Sequence, residues 1–273
     1  MQELTNEDFE RLYRYVQERF GIDLHKKKQL IASRLHSTLQ AEGYESFHHY
    51  VEDILSGKRR ELIEPMLNKL TTNYTYFMRE EQHFQFFQDT VIPELVQRHR
   101  KDHVLSIWSA GCSSGEEPYT VSMYLLEYFR KLGGRWDTRI LATDISQRAL
   151  MAAMNPSYPA ESLQRLPEDW KKRYFSRKPD GSYTVSEELK KNVIFRPFNL
   201  MEPIRFKLSF DLIFCRNVMI YFDQPTKDAL IRRFYQASNP GAYLLIGHSE
   251  GINKAASSYR CLRPSVYQKP IAE

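Results

Sequence analysis

The 273-residue sequence predicts an α/β protein whose main domain is a doubly wound, mostly parallel sheet, preceded by an all-helical domain. In roughly the first hundred residues, apolar side chains recur only at helical spacing. From Val104 onward, short apolar runs alternate with helical patterns, which is typical of a parallel sheet. Between Tyr158 and Lys191 the alternation stops, and we expect an inserted antiparallel β-subdomain. The predicted domains are residues 1–80 (helical domain and linker) and 81–273 (sheet domain), with the insertion at 158–192.

Helix signals divide the N-terminal region. Thr5 and Asp8 form a capping box in front of a first helix, which Gly21 ends. A second helix carries the apolar residues Leu30, Ile31, Leu35 and Leu39. Ser46 precedes a third, and a fourth is expected to start close to Pro65.

In the second region, apolar runs and turn signals define the order of elements. The strand candidates are Val104 to Trp108, Arg139 to Ala142, Val193 to Phe198, Asp211 to Cys215, Tyr243 to Ile246 and Ser265 to Gln268. Helices are predicted near Pro118 to Lys131, Ser146 to Ala153 and Pro225 to Ser238. In the insertion, a turn at residues 179–182 separates the strand-like flanks Arg173 to Phe175 and Tyr183 to Val185.

Composition sets broad limits on function. The formal net charge of +5 is modest and gives only a weak hint of acidic partners. The N-terminus is polar and acidic, and no apolar run approaches membrane-spanning length, so we expect a cytoplasmic protein without membrane insertion. Cys112, Cys215 and Cys261 lack metal-type spacing, which predicts reduced, mostly buried thiols and no metal site.

The first strand leads into a small-residue turn that opens a helix. Gly111 and Gly115 allow close backbone approach to a ligand, and Pro118 suits the first helical turn. The adjacent carboxylates Glu116 and Glu117 would repel a pyrophosphate but attract an ammonium, a sulfonium or ribose hydroxyls. The loop therefore favours S-adenosylmethionine over a dinucleotide.

Polar residues also end two further strands. Asp144 follows the second strand, where a carboxylate meets ribose hydroxyls in doubly wound sheets, while Ser146 already fits the helix N-cap role. After the fourth strand, Arg216 and Asn217 are candidates for the cofactor and Tyr221 for the substrate. The alternatives are a surface arginine, a capping asparagine and a packed aromatic ring.

The motifs together resemble the chemotaxis receptor glutamate O-methyltransferases of the CheR type. The segments that carry the resemblance, in order, are Thr72 to Glu80, Trp108 to Tyr119, Ala142 to Ile145, Asp211 to Asp223 and Gly247 to Glu250. The resemblance covers nearly the whole chain. It implies a class I methyltransferase fold and methyl transfer from S-adenosylmethionine to glutamate side chains on the cytoplasmic helices of chemoreceptors, leaving S-adenosylhomocysteine.

The resemblance also implies site residues. In the family, the positions that contact the cofactor match Asn73, Thr75, Arg79, Glu117, Asp144, Asn199, Leu200, Arg216 and Asn217. Those matching Arg79 and Tyr221 lie near the reacting methyl group. An acceptor glutamate is already ionised at neutral pH, so no general base is needed, and the sequence offers no obvious one. We expect Arg79 to hold the acceptor carboxylate and Tyr221 to fix its approach.

Two segments bear on partner recognition. Lys26, Lys27, Lys28 and Arg34 lie in a stretch without acidic residues, which predicts a docking surface for Glu-rich receptor helices; a solvated helix face is the alternative. Ser37, Thr38 and Gln40 stand where the family often has arginines, so docking could differ in strength or arrangement. In receptor-tethered members of the family that the sequence resembles, a slightly longer glycine-containing loop grips a C-terminal receptor pentapeptide. The turn at residues 177–182 is shorter by a few residues, so the resemblance implies that no pentapeptide is bound strongly.

Rival functions stay open at this point. An NAD-dependent oxidoreductase is disfavoured because the loop lacks Gly-x-Gly-x-x-Gly. Residues 155–158 read Asn-Pro-Ser-Tyr, as in nucleic-acid methyltransferases, but they follow a helix rather than the fourth strand, and a long basic stripe is missing. A non-catalytic sensor of S-adenosylmethionine is the third alternative. We expect a monomer.

Overall fold

The computed structural model describes residues 3–72 and 74–271, which separate into two compact units. The helical unit comprises residues up to 72 together with 221–227, and the sheet unit comprises 74–220 and 228 onward. None of the described helices is both long and apolar enough to cross a lipid bilayer.

The helical unit is built from short amphipathic helices. Its elements are α1 (Asn6–Phe20), α2 (Lys28–Ala41), α3 (Phe47–Leu55), a 3-10 turn (Arg60–Leu62) and α4 (Ile63–Leu70). The predicted cap is present, because the Thr5 hydroxyl accepts from the Asp8 N–H at 3.0 Å and donates to its carboxylate at 2.7 Å. Gly21 ends α1 with a φ of 72°. Helix α4 starts two residues before Pro65, which its first turn accommodates because proline's missing N–H has no helical acceptor there.

The core of the helical unit follows the predicted apolar stripes with one exception. Ile31, Leu35 and Leu39 are fully buried, but Leu30 is 37% exposed. An apolar stripe at helical spacing fixes the side that is buried, and Leu30 lies beside that stripe rather than on it.

The sheet unit alternates helices and strands. In chain order its elements are α5 (Glu81–Phe86), a π-helical segment (Phe87–Val91), α6 (Ile92–Arg98), β1 (Ile107–Ala110), α7 (Glu116–Leu132), β2 (Ile140–Asp144), α8 (Gln147–Met154), a 3-10 turn (Ala160–Leu163), α9 (Glu168–Tyr174), β3 (Phe175–Arg177), β4 (Tyr183–Val185), α10 (Glu187–Lys191), β5 (Val193–Pro197), β6 (Phe210–Cys215), a 3-10 turn (Met219–Tyr221, whose last residue clusters with the helical unit), α11 (Gln224–Ala237), β7 (Ser238–Ile246), a 3-10 turn (Lys254–Ala256), β8 (Arg260–Arg263) and β9 (Val266–Gln268).

The main sheet has the predicted doubly wound architecture. Among the described residues it has seven strands in the order β5-β2-β1-β6-β7-β9-β8. The first five strands of this order run parallel, and β9 is antiparallel to both β7 and β8. Chain order reverses at β1, which pairs with β2 on one side and β6 on the other. This reversal is the switch point at which open α/β sheets bind ligands.

The central parallel strands β1 and β6 are buried on both faces. Successive residues of β1 point to opposite faces, so Ile107 and Trp108 pack into different layers. Trp108 is surrounded by aromatic rings and donates from Nε1 to the Thr143 hydroxyl at 2.9 Å. On the other face, Phe214 packs against Phe84 and Phe87. The sheet core therefore anchors the strand ends from both sides.

The insertion contains the predicted hairpin, with one boundary moved. Strand β3 pairs antiparallel with β4 and starts at Phe175 instead of Arg173, because residues 173–174 still belong to α9. The turn closes through the Lys178 N–H, which donates to the Ser182 carbonyl at 2.7 Å. The backbones of Tyr158 and Tyr183 exchange two hydrogen bonds of 2.8 Å.

Candidate functional site

Polar or glycine residues follow the parallel strands at one edge of the main sheet. Strand β1 leads to Gly111, β2 ends at Asp144, β5 precedes Asn199, β6 leads to Arg216 and β7 leads to Gly247. Because parallel strands end at the same edge, the fold collects these positions from sequence separations of up to 136 residues.

The loop after β1 requires glycine at two positions. Gly111 has a φ of 86°, and a Cβ there would collide with the Val218 side chain. Gly115 has a φ of 95°, and its Cβ would lie 3.0 Å from the Ala153 Cβ. The Gly111 N–H donates to the Thr143 carbonyl at 2.8 Å, which fixes the start of the loop. Close backbone approach thus explains both glycines.

Asp144 fastens this loop to the end of β2. Its Oδ2 accepts from the Ser113 N–H at 2.8 Å, and its Oδ1 accepts from the Ser146 N–H at 2.9 Å. Ser146 is the predicted N-cap of α8, since its hydroxyl accepts from the Ala149 N–H at 3.1 Å. Each carboxylate oxygen can accept more than one hydrogen bond, so Asp144 can also meet ribose hydroxyls.

Four side chains form what we call the buried cluster: the buried Arg216 and the half-buried Glu80, Glu117 and Asn217. The Arg216 guanidinium, 2% exposed, lies 2.9 Å from Glu117 Oε2 and 3.1 Å from Glu80 Oε2. It also donates to the Arg79 carbonyl, and the Ser109 hydroxyl donates to Glu117 at 2.7 Å. Two carboxylates thus share one guanidinium, which leaves the group with a net negative charge.

Glu80 connects Arg216 and Asn217 of the cluster to the loop after β7. Its Oε1 accepts from Asn217 Nδ2 at 3.2 Å and from the His248 N–H at 3.2 Å. Both Glu80 (φ 57°) and Asn217 (φ 60°) adopt the left-handed conformation, which is uncommon for residues other than glycine. Burial raises the pKa of Glu80, but Arg216 and these hydrogen bonds outweigh it and hold the pKa below its usual value.

Glu250 organises the loop after β6. Its carboxylate accepts from the Gly247 N–H at 2.6 Å, the Asn217 N–H at 3.0 Å and the Ile220 N–H at 3.1 Å. A Cβ on Gly247 would lie 2.7 Å from Asn217 Nδ2, so glycine is needed there. Burial raises the pKa of Glu250, and the backbone N–H groups partly offset this. The Gly247 to Glu250 motif therefore holds the backbone that presents Asn217.

The two adjacent acidic residues of the glycine loop differ, which sequence reasoning did not anticipate. Glu117 belongs to the buried cluster, whereas Glu116 is 6% exposed and accepts from the Ser114 hydroxyl at 2.7 Å. Within the described part of the chain Glu116 forms no ion pair. Burial raises its pKa. The electrostatic argument for a cationic ligand therefore applies to Glu117 rather than to the pair.

The remaining predicted cofactor residues of the sheet unit lie on loops. Asn199 Oδ1 accepts from the Met201 N–H at 3.0 Å, and the carbonyl of the buried Leu200 accepts from Arg233 at 2.6 Å. Thr75 is half-buried. Asn73 lies outside the described residues.

Arg79 and Tyr221, the predicted catalytic pair, are divided between the two units. In the sheet unit, the Arg79 guanidinium donates to the Tyr74 carbonyl and lies 5.9 Å from the centre of the Tyr76 ring. In the helical unit, the Tyr221 hydroxyl donates to the Thr72 carbonyl at 2.9 Å and accepts from the Thr72 N–H at 2.9 Å. Each side chain is thus held by the backbone of its own unit.

The basic segment, defined as Lys26, Lys27, Lys28 and Arg34, lies in the helical unit. Lys26 and Lys27 are exposed. Lys28 donates to Asn6 at 2.6 Å, and Arg34 donates to the carbonyls of Lys69 and Leu70, each at 3.1 Å. Lys28 and Arg34 therefore make contacts within the helical unit, so only part of the predicted docking set is left for a partner.

Two histidines lie beside the buried cluster, and neither was a predicted site residue. His83 is 1% exposed, and burial together with the nearby Arg216 lowers its pKa to about 3. Its ring packs edge-on against His248, with the two ring centres 4.7 Å apart. His83 lies on a short helix of mixed polar and aromatic residues, which gives no pattern by which sequence analysis could have found it.

The strand order, the glycine loop and the acidic residue after β2 define a class I S-adenosylmethionine-dependent methyltransferase. Two family models match this chain: "CheR methyltransferase, all-alpha domain" over residues 7–71 and "CheR methyltransferase, SAM binding domain" over residues 73–267. The chain belongs to the CheR methyltransferase family and is a methyltransferase of chemotaxis that uses S-adenosylmethionine.

Relatives match over nearly the full length. A chemotaxis protein methyltransferase of Borreliella burgdorferi is 40% identical over 270 residues, which are 97% of this chain and 95% of that protein. Chemotaxis protein methyltransferase 2 of Pseudomonas aeruginosa is 40% identical, with 96% of this chain and 93% of that protein covered. The chemotaxis protein methyltransferase of Escherichia coli is 34% identical, with 97% and 91% covered. The oxidoreductase alternative is therefore dropped.

Proposed function

We propose that this protein transfers the methyl group of S-adenosylmethionine to glutamate side chains of chemoreceptor cytoplasmic helices, forming methyl esters. The observation that carries the proposal is the buried cluster at the carboxyl edge of the sheet. Glu117 and Arg216 in that cluster, with Asn217 on the loop that Glu250 holds, match cofactor positions of the family. The sequence resemblance and the family membership support the acceptor.

The residues at this edge fit the proposed cofactor. The glycine loop leaves room because side chains are missing at Gly111 and Gly115. Asp144 offers carboxylate oxygens to ribose hydroxyls, and Glu117 offers one to an ammonium group. Asn73, Thr75, Arg79, Asn199, Leu200, Arg216 and Asn217 complete the proposed set.

The chemistry needs positioning more than acid or base. Bound S-adenosylmethionine supplies a sulfonium methyl group, and an ionised glutamate can attack it without losing a proton. Charges of opposite sign neutralise in the transition state, so a dry and well-aligned site favours the reaction.

Arg79 is our candidate for holding the acceptor. Among the described residues no carboxylate pairs with its guanidinium, in contrast to Arg216, which faces two. A guanidinium without an internal carboxylate is suited to an external one, which it can bind through two parallel hydrogen bonds. Tyr221 is proposed to fix the approach of that carboxylate.

Acceptor docking is proposed to use the exposed end of the basic segment. Lys26 and Lys27 present positive charge to solvent, and Glu-rich helices carry the opposite charge. In the insertion, the short turn is closed on itself by Asp180, which accepts from the Ser182 N–H at 2.9 Å and its hydroxyl at 2.6 Å. This supports the proposal that binding of a receptor pentapeptide is weak. We further propose that the enzyme acts as a monomer.

The decisive experiment is transfer of a tritiated methyl group to receptor cytoplasmic fragments. A methyl ester releases methanol in alkali, whereas N-methyl groups do not. We expect base-labile label on the fragment, and alkali-stable label would contradict glutamate esterification. Micromolar binding of the pentapeptide in calorimetry would contradict pentapeptide independence.

The role of Arg79 is tested with a matched control. Arg79→Met should lower kcat/KM for the fragment by roughly a hundredfold or more, since a positioning cation is lost. Arg165 also stacks on Tyr76, with its guanidinium 4.8 Å from the ring centre, so Arg165→Met controls for the lost stacking. Unchanged turnover in Arg79→Met would discard the role.

A further inference from the structure

We propose that Glu80, His83 and His248 form a second site that binds a transition-metal dication, with Zn²⁺ as the best match, and that occupancy weakens S-adenosylmethionine binding. The inference concerns control of the cofactor site. It does not depend on which acceptor is methylated.

The ligand atoms are already close together. One ligand atom from each of the three residues lies within 4.8 Å of the other two, and His83 Nδ1 lies 3.4 Å from Glu80 Oε2. Tetrahedral Zn²⁺ with bonds of about 2.0–2.1 Å separates neighbouring ligand atoms by roughly 3.3–3.4 Å. The spacing between this carboxylate and this imidazole therefore matches Zn²⁺, and the exposed His248 ring would supply the third ligand.

His83 supplies an independent indication. Its side chain is buried, and neither ring nitrogen has a hydrogen-bond partner among the described residues. Buried polar atoms almost always have partners, so an unpartnered imidazole beside a carboxylate points to a ligand. Two histidines and one carboxylate are a familiar donor set for Zn²⁺, and the exposed His248 provides the entry path.

Positive and negative side chains balance around His83. Glu80 and Glu117 face Arg216, and Arg263 is a further cation that acts on the His83 ring. The oxygen nearest His83 is Oε2, the atom on which Arg216 donates at 3.1 Å. A metal bound there competes with the guanidinium for this oxygen. Arg216 would keep Glu117 but lose its link to Glu80, and the cofactor loop would lose one of its fixed points.

The test uses the full chain and Zn²⁺ itself. Calorimetric titration should give one Zn²⁺ per chain, and Co²⁺ should give the absorption bands of a tetrahedral nitrogen and oxygen site. Saturating Zn²⁺ should weaken S-adenosylmethionine binding by about tenfold or more, reversibly with a chelator. A Cys261→Ser background removes the exposed thiol, which could bind the metal separately.

The variants distinguish the outcomes. His248→Ala should weaken Zn²⁺ binding at least about tenfold and abolish the effect of Zn²⁺ on cofactor affinity, while methyl transfer without metal persists. His36→Ala, at an exposed position of α2, should change neither. Zn²⁺ affinity that is unchanged in His248→Ala, and in a folded His83→Gln, would overturn the site. Zn²⁺ binding without any change in cofactor affinity would overturn the proposed effect of the metal on S-adenosylmethionine binding.

Discussion

The buried cluster and the basic segment are both charged, but they use charge in opposite ways. Arg216 has its guanidinium 2% exposed between two carboxylates, so its charge is neutralised inside the protein. Lys26 and Lys27 are exposed. A buried charge is costly to leave unpaired, whereas an exposed charge contributes little to stability and acts mainly on encounters with partners. Substitutions should therefore affect folding in the buried cluster, but only partner binding at the exposed Lys26 and Lys27.

The largest effect is expected from Arg216→Met. The substitution leaves Glu80 and Glu117 buried without their shared cation, which should cost about 3–5 kcal/mol in the free energy of unfolding. It should also abolish measurable S-adenosylmethionine binding. Urea unfolding and cofactor titration check both. Stability within about 1 kcal/mol of the native protein would show that Glu80 and Glu117 do not depend on Arg216 as we describe.

The pH dependence of stability in Glu116→Gln tests whether Glu116 and its neighbour Glu117 have different roles. Burial raises the pKa of Glu116, so its contribution to stability is present at acid pH and is lost as the pH rises through that pKa. Glutamine avoids this loss, so stability at pH 7 should rise by about 1 kcal/mol, and the gain should vanish below about pH 4. Unfolding curves across this pH range measure it.

Glu117→Gln is the matched control for that experiment. It should lose stability at pH 7 and bind S-adenosylmethionine more weakly, because Arg216 loses an anionic partner. Glu116→Gln should leave cofactor affinity unchanged. Equal effects of the two variants would contradict the different roles that the structure gives them.

Arg34→Ala tests the part of the basic segment that is tied to the fold. Arg34 donates to the last carbonyls of α4, so its loss should lower stability by about 1 kcal/mol. Lys26→Ala, at an exposed position, should have no measurable effect. Thermal unfolding compares the two variants. Equal stability of both would contradict the structural role of Arg34.

The smallest effect on the protein itself is expected from charge reversal at Lys26 and Lys27. The double substitution to glutamate should leave the melting temperature unchanged but raise KM for receptor fragments by roughly three- to tenfold at low salt. Salt should shrink the difference because exposed charges are screened. Steady-state assays at two ionic strengths measure this. An unchanged KM would move the docking surface elsewhere.

Several elements could be predicted because their signals are local. The capping box at Thr5, the stop at Gly21 and the glycines of the first loop act through neighbouring residues. The parallel strands were recognisable as buried apolar runs. Strand β8 escaped prediction because all four of its residues are exposed and show no alternation. Strand β3 was placed two residues early because α9 carries no clear apolar period in its polar stretch.

The partners of the site residues could not be predicted in the same way. Glu117 and Arg216 were each singled out by position at a strand end, but their pairing spans 99 residues of sequence. Glu80 lies 137 residues from Asn217, and the buried His83 bears no pattern. Even the adjacent Glu116 and Glu117 differ only because they point into different surroundings.

By itself the sequence determined the fold class, the strand ends where ligands bind and the preference for a cationic, adenosine-bearing cofactor, since periodicity and turn chemistry are encoded by near neighbours. Only the tertiary structure decided which carboxylates share Arg216, which of the adjacent Glu116 and Glu117 forms an ion pair and which basic residues face solvent. Those outcomes depend on burial and on distances between residues far apart in the chain, and both exist only once the sheet has brought its strand ends together.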